Sequence, residues 1–550
     1  MKNSAKYLIT AAFILMIGSC AKDFLDIAPQ DRMTADNFYR NETEVKAATA
    51  SLYGYPWFGF NDKFFWLVGD QMAGNIYYTY DQEGQFFYFT YTEGNAYLSA
   101  GWKSLFRVVS YANSIINDMP AAAAGNVDQA VIDRALGEAR FMRGVAYFFL
   151  AEFWGEVPIV ENSTELVANN QTMLKKNTRA SLYEFIRRDL QFASDNLPAS
   201  DMPGRVTKWS AKGMLAKLYL TMAQNLSDSK SGEYFGSARD LAVDVINNSG
   251  ASLMSDYADL FKISNNNNSE SLFALQFMEG NYGIGNSRQA NWARSSVITG
   301  NTECWGTGKS VTYDFMQSVE NGDLRRKSIY MTKDDVYPEI RKAEGGYLYQ
   351  IVSRDPADPN KTLEGAAAVL NNLKKYVVGS AEDTDGKVST GQATAINQYI
   401  LRLSDVYLIY AEAVLGASSS TSDALALDYF NTIRTRANLP SKSSVTFEDI
   451  LKERRIEFGL ESMFWFDLKR YIYRDQTAAL SYINNQKRGY TYRRLTGDNL
   501  PDENTFEGYE LVPPDVPPTI HESQIFLPIP AAEVVANPLL REAAIEYTFK

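Results

Sequence analysis

The sequence predicts a mainly α-helical fold: helices stacked in tetratricopeptide-like pairs, carrying one long irregular insertion that forms the ligand face. Three observations predict it. Apolar residues recur at three- and four-residue spacing through most of the chain. Small Ala-rich helical pieces such as "AKLYL" and "AEAVLG" suggest the pairing, although their spacing is too uneven for a 34-residue repeat. Between about residues 265 and 397 the helical period is lost, and Asn, Gly, Asp and Ser punctuate short apolar pieces.

Taken in order, the chain starts with Lys2 and Lys6, then an apolar run from Tyr7 to Ile17 and a small-residue exit at Gly18-Ser19. Eleven residues make a helix of about 16 Å, roughly half of what a bilayer core requires, so residues 1–19 read as a signal segment. The run ends in "MIGSC", which resembles a bacterial lipoprotein cleavage site with Cys20 as the lipid attachment point. Residues 20–33 then read as a lipid-anchored tether, and 34–550 as a single domain. Its helical scaffold spans about 34–264 and 398–550, with the irregular binding subdomain at about 265–397. An acylated Cys20 leaves Cys304 without a disulfide partner in the chain, which has two cysteines.

The scaffold helices follow from pattern. In "TRASLYEFIRRDLQFASDNLP", Leu182, Phe185, Ile186, Leu190, Ala193 and Leu197 form one stripe, and Pro198 follows its end. "TKWSAKGMLAKLYLTMAQN" repeats it with Ala211, Met214, Leu215, Leu218, Tyr219 and Met222, and "SARDLAVDVINNSG" ends at Gly250. Further helices are predicted at 126–153, 399–416, 423–438 and 446–472. The last opens on Thr446 and Asp449, the spacing of a capping box.

Composition narrows the chemistry. The chain has 550 residues, a net charge of −12 and one histidine. Without a Lys/Arg block, nucleic acid is not an expected partner. Redundant His-based triads and zinc clusters are excluded by the counts, and no cofactor is implied. Glu453, Glu457 and Glu461 share a helical face, but Arg454, Arg455, Lys469 and Arg470 nearby make it a salt-bridge network, not a catalytic pair. His521 reads as a loop histidine. "EDTDGK" (382–387) lacks the later bidentate Glu of a calcium loop, so no metal ligand is assigned.

Aromatic crowding is the unusual feature. Sixteen of the 39 residues from Tyr53 to Tyr91 are Phe, Tyr or Trp, against 13% for the whole chain, so this stretch needs its own explanation. "FGFNDKFFW" (58–66) is Phe-rich and reads as packing, because Phe has no polar edge. "QFFYFTY" alternates and reads as a buried strand. Tyr78 and Tyr80 sit in a loop-like context, as do Trp292 and Trp305 in "MEGNYGIGNSRQANWARSSVITGNTECWGTG".

Several stretches, in order, resemble the RagB/SusD family of outer-membrane nutrient-uptake lipoproteins. They are "CAKDFLDIAPQ", "GWKSLFRVVSYANSIIND", "RALGEARFMRGVAYFFLAEFWGEVPIV", "VTKWSAKGMLAKLYL", "YILRLSDVYLIYAEAVL", "ILKERRIEFGLESMFWFDLKRY" and "IFLPIPAAEVVANPLL". Two departures stand out. Glu461-Ser462-Met463-Phe464 replaces the family's usual Glu-Gly-x-Arg, and "REAAIEYTFK" replaces a Gln-Asn-Pro-Gly type tail.

The resemblance implies a non-enzymatic surface protein of the outer membrane that holds oligosaccharide or polysaccharide over a SusC-type, TonB-dependent transporter. Some family members are associated with peptides instead. A surface enzyme acting on glycans is the other class of reading. Sugars present flat C–H patches edged by hydroxyls, which aromatic faces and Asp, Asn or Arg groups complement. The family takes binding rings from about these two regions. The expected contacts are therefore Asp70, Asn75, Tyr78 and Tyr80 from the first, and Tyr282, Arg288, Trp292 and Trp305 from the second. The Cys20→Ala variant is expected to lose its lipid and appear in the soluble fraction. Wild-type membrane fractionation of that variant would exclude the anchor.

Overall fold

In a computed structural model the described residues are 38–549, apart from 227–228, 351–353, 356–357, 363–370 and 492–510. The signal segment, the tether and Cys20 lie outside them. Helix outweighs strand by 53% to 8%, as the periodicity predicts. Helices of eight or more residues are numbered here as α1 Glu42–Ala50, α2 Asp81–Tyr88, α3 Ala96–Ala123, α4 Gln129–Trp154, α5 Arg179–Asn196 and α6 Lys208–Asn225. They continue as α7 Ser231–Asn248, α8 Leu403–Leu415, α9 Ala424–Arg436, α10 Phe447–Glu457, α11 Phe464–Arg474 and α12 Gln476–Asn484.

From α3 to α7 each helix packs on the next, and α8 then docks on α7 and carries α9. Such a succession stacks antiparallel pairs into a shallow superhelix. α6 is the innermost member: it touches α5, α7, α8 and α11, and is buried around nearly its whole circumference. Its Lys217 is accordingly paired with Asp405 of α8 at 2.9 Å.

Two predicted helices are divided. The 399–416 pattern opens as a strand, Gln398–Arg402, before α8 begins. That strand pairs antiparallel with Ser271–Leu275, which draws both ends of the irregular segment together on the scaffold. The 446–472 pattern breaks into α10 and α11, because Leu460 and Ser462 take left-handed backbone angles of +65° and +71°. The capping box at Thr446 and Asp449 forms, with each group accepting the other's backbone N–H.

A third expectation is overturned. "QFFYFTY" is not a buried strand: its first residues complete α2, which stops at Phe89 in the left-handed region (φ 56°). Gly84 makes the tight entry possible, since a Cβ there would lie 2.4 Å from the Thr79 carbonyl oxygen. Phe86, Phe87 and Phe89 are buried all the same, and so are Trp57, Phe60, Phe64, Phe65 and Trp66 of the Phe-rich run. Phe64 stacks on Trp154 of α4 at 5.3 Å between ring centres.

The acidic face of α10 does form an ion network, but mostly with other partners than its sequence neighbours. Glu457 meets Arg325, Arg402 and Arg436 at 2.5–3.1 Å, and Glu453 meets Arg325 and Arg434 at 2.6–2.9 Å. Glu461, in the turn after α10, pairs with Arg402 and Lys375. Arg454 and Arg470 join a second cluster with Asp405, Asp467 and Glu412. Burial alone would disfavour the Glu457 carboxylate, but Arg436, Arg402 and Arg325 outweigh it and hold its pKa well below the ordinary value. Burial likewise opposes the charge on Asp405, and Lys217 and Arg454 reverse it. Burial pushes Lys375 down to about 8 against the pull of Glu461.

A carboxylate whose pKa falls on folding contributes its full stability above the unfolded value and loses it as pH falls toward the folded one. The melting midpoint is therefore expected to drop as pH is lowered from about 5 to 3, with a shallower drop in Glu457→Gln. Arg402→Met should cost about 3–5 kcal/mol at neutral pH, because three buried carboxylates lose a partner. Denaturant titration checks both, and a midpoint that does not move between neutral pH and pH 3 would exclude the network as an acid-sensitive element.

Candidate functional site

The two aromatic-rich segments meet through backbone. Strand Ile76–Tyr77 pairs antiparallel with Ser310–Val311, Ile76 opposite Val311 and Tyr77 opposite Ser310. This register sets Tyr78 beside Gly308 and Lys309. Gly308 lies against the Tyr78 ring, with its vacant Cβ position 3.7 Å from Cε2, and the Lys309 ammonium stands 4.4 Å from the ring centre. Tyr80 follows at 6.5 Å from Tyr78, and its side chain is 74% exposed.

Beneath these rings lies a small charge group. Glu83 on α2 takes Lys309 at 3.0 Å and Lys63 at 2.6 Å, and Lys63 also donates to the Tyr97 hydroxyl at 3.3 Å. Burial raises the cost of ionising Glu83, yet Lys309 and Lys63 pull its pKa below the ordinary value. Burial pushes the Lys309 ammonium down despite Glu83. Held on both sides, Glu83 stays a carboxylate.

The second segment carries two further exposed rings. Tyr282 is 54% exposed; its hydroxyl donates to Asp62 at 2.7 Å, and its ring meets Phe58 edge-on at 4.7 Å. Ser287 donates to the other oxygen of Asp62. Trp305 is also 54% exposed. Its backbone N–H donates to Ala290 at 2.6 Å and that of Gly306 to Ala293 at 3.0 Å, so this loop lies directly on helix Arg288–Trp292. Glu303 clasps the hairpin between Val388–Ser389 and Ala393–Thr394 by accepting from Gly391 and Gln392 at 2.8 and 2.6 Å. Gly391 in turn packs on the Tyr282 backbone. Tyr78, Tyr80, Tyr282 and Trp305 are thus held by short backbone contacts among three loops.

The other four expected contacts are structural, and this is a correction. Trp292 is 0% exposed, edge-on to Trp66 at 6.3 Å and to Tyr376 at 5.8 Å, so it has no face for a ligand. It points inward from the helix over which Trp305 lies. Asp70 is buried and accepts from the N–H groups of Leu460 (3.1 Å) and Ser462 (2.7 Å) and from Asn75 (3.0 Å). Burial nevertheless raises its pKa. Arg288, also buried, donates to the Leu460 carbonyl at 3.2 Å and the Ser462 hydroxyl at 2.8 Å, and burial lowers its pKa. Asn75 links Asp70 to Arg455. Together they clamp the left-handed turn between α10 and α11. Gly69 lets the clamp close, because a Cβ there would fall 2.0 Å from the Ser462 carbonyl oxygen.

Asp62, Lys63, Tyr97, Glu303 and Lys309 went unrecognised in the sequence. Asp62-Lys63 is the one charged pair inside the Phe-rich run, a usable sign of a surface edge there. Nothing marks the other three. Of the remaining readings, His521 is an exposed loop residue before a short 3-10 turn. Asp383 of "EDTDGK" is filled by the N–H groups of Lys342 and Ser380.

Trp292→Ala is expected to cost about 3–5 kcal/mol of stability, as for a large core ring. Trp305→Ala and Tyr282→Ala should leave the melt nearly in place. A Trp292 variant that melts like the wild type would return that ring to the binding face.

A sequence model described as the SusD family matches residues 221–546, and one described as starch-binding associating with outer membrane matches residues 23–220. A SusD-like protein from Bacteroides ovatus is 37% identical over 560 residues, covering 99% of this chain and 98% of that protein. A crystal structure with xylogluco-oligosaccharide superposes with a TM-score of 0.81 at 35% identity, over 92% of this chain and 99% of that one. A SusD-like protein from Bacteroides fragilis shares the fold, with a TM-score of 0.72 at 19% identity over 94% and 99% of the two chains. With a family model over more than half its length and a full-length relative above 30% identity, the chain belongs to the SusD family of carbohydrate-binding proteins.

Proposed function

We propose that this protein is a lipid-anchored, surface-exposed outer-membrane protein that captures oligosaccharide or polysaccharide on the face formed by Tyr78, Tyr80, Tyr282 and Trp305. It delivers the glycan to a SusC-like TonB-dependent transporter and does not cleave it. The observation that carries the reading is that three largely exposed rings, Tyr80, Tyr282 and Trp305, come from two distant segments that the pairing of Ile76–Tyr77 with Ser310–Val311 joins. Rings held in place before binding lose little entropy on contact, and their faces suit sugar C–H patches. The xylogluco-oligosaccharide in a 35% identical structure supports a neutral plant-type glycan as the first candidate.

The acids at this face do not suit hydrolysis. A glycosidase needs one carboxyl kept protonated near neutral pH. Glu83 is instead held ionised between two lysines, and both oxygens of Asp62 already accept hydroxyls.

Titration calorimetry against xyloglucan, laminarin and starch tests the proposal. Trp305→Ala or Tyr282→Ala should weaken the bound glycan about tenfold to a hundredfold, taking about 1–3 kcal/mol per anchoring ring. Steady release of reducing ends by pure protein would favour an enzyme. Capture of peptides with no glycan bound would favour the peptide-uptake class.

A further inference from the structure

We propose that the binding face continues past Tyr282 into a cationic subsite of Tyr55, Lys103, Arg107 and Tyr111, which takes an acidic sugar of the same glycan chain. This rests on the glycan-binding reading above. Tyr55 opens the 3-10 turn Tyr55–Trp57, and its carbonyl accepts from the N–H of Phe58. Side chains three apart on such a turn eclipse one another with a rise of about 6 Å. Tyr55 therefore stands one sugar-sized step behind Phe58, the ring that carries Tyr282.

Tyr55 is 53% exposed, and the Arg107 guanidinium lies 5.6 Å from its ring centre. Arg107 belongs to α3, the helix that also brings Tyr97 to the charge group under Tyr78. Lys103 and Tyr111 lie four residues to either side of it, on the same helical face, and all three are exposed. Among the described residues neither Lys103 nor Arg107 has a carboxylate partner, whereas the two lysines beside Tyr78 share Glu83. The next acid along α3, Asp118, accepts from Ser114.

Two uncompensated cations beside two exposed rings, on a chain of net charge −12, match a particular ligand. An arginine fork pairs bidentately with a carboxylate, while a tyrosine face covers the sugar ring that bears it. The occupant is thus a uronic acid, or a sugar with another acidic substituent, next to the neutral residues on Tyr282 and Trp305.

Matched pairs of polymer test this: xyloglucan, laminarin and starch, each neutral and each lightly oxidised at C6 to carry carboxylates. The full-length mature protein should bind the oxidised member of its preferred pair about three- to tenfold more tightly at low salt, with the preference fading as salt rises. Lys103→Ala/Arg107→Ala, two exposed changes whose fold a melt verifies, should erase the preference and keep neutral binding. Tyr282→Ala should weaken both polymers. Equal affinity for the two polymers in the wild type, or a preference that survives the double variant, overturns the subsite and leaves the glycan reading intact. Failure to bind any of the six sinks both.

Discussion

Arg402 is buried among Glu270, Glu457 and Glu461, and much of the architecture depends on that group closing completely. A charge removed from water is tolerated only when every partner arrives in geometry. Here the partners come from far apart: Glu270 precedes strand Ser271–Leu275, Glu457 ends α10, and Arg436 ends α9 and reaches both. Arg325 and Lys375 bring the irregular segment to the same carboxylates. Scaffold and insertion are therefore bound by one network.

The candidate site inherits this rigidity through the turn between α10 and α11. Asp70 holds that turn by its N–H groups, and Arg288 holds it by a carbonyl and a hydroxyl. Asp70 lies a few residues before Tyr78, and Arg288 opens the helix beneath Trp305. One turn thus fixes the bases of both aromatic segments. Ser462 sits at φ +71°, a left-handed backbone that costs a non-glycine residue about 1–2 kcal/mol. Its hydroxyl accepts from Arg288 at 2.8 Å, so the strained residue is itself part of the clamp.

The outer rings of the candidate site, Tyr80, Tyr282 and Trp305, are more than half exposed. A cleft of about 410 Å³ lined by Phe235, Arg239, Tyr410 and Asp423 lies elsewhere, between α7 and α8. Cations stand against rings of the candidate site, Lys309 at Tyr78 and Lys63 at Tyr97. A cation against an aromatic face is attracted by the ring quadrupole and so helps fix the ring's position.

The helical class, most of the scaffold helices, the capping box and the burial of the Phe-rich run were legible in the sequence. These are local properties: periodicity, capping spacing and side-chain polarity act within a few residues. Tertiary structure decided the rest. Whether a loop-context Trp points outward, as Trp305 does, or inward, as Trp292 does, is set by which side of helix Arg288–Trp292 meets Trp66 and Tyr376. The polar residues Asp70, Asn75 and Arg288 resemble ligand contacts in sequence, because a group that clamps a buried turn and one that grips a hydroxyl need the same donors and acceptors. The true partners of Glu457 lie 21 to 132 residues away along the chain. Composition determined that the charges must pair, and only the packing of distant segments into one low-dielectric interior determined with whom.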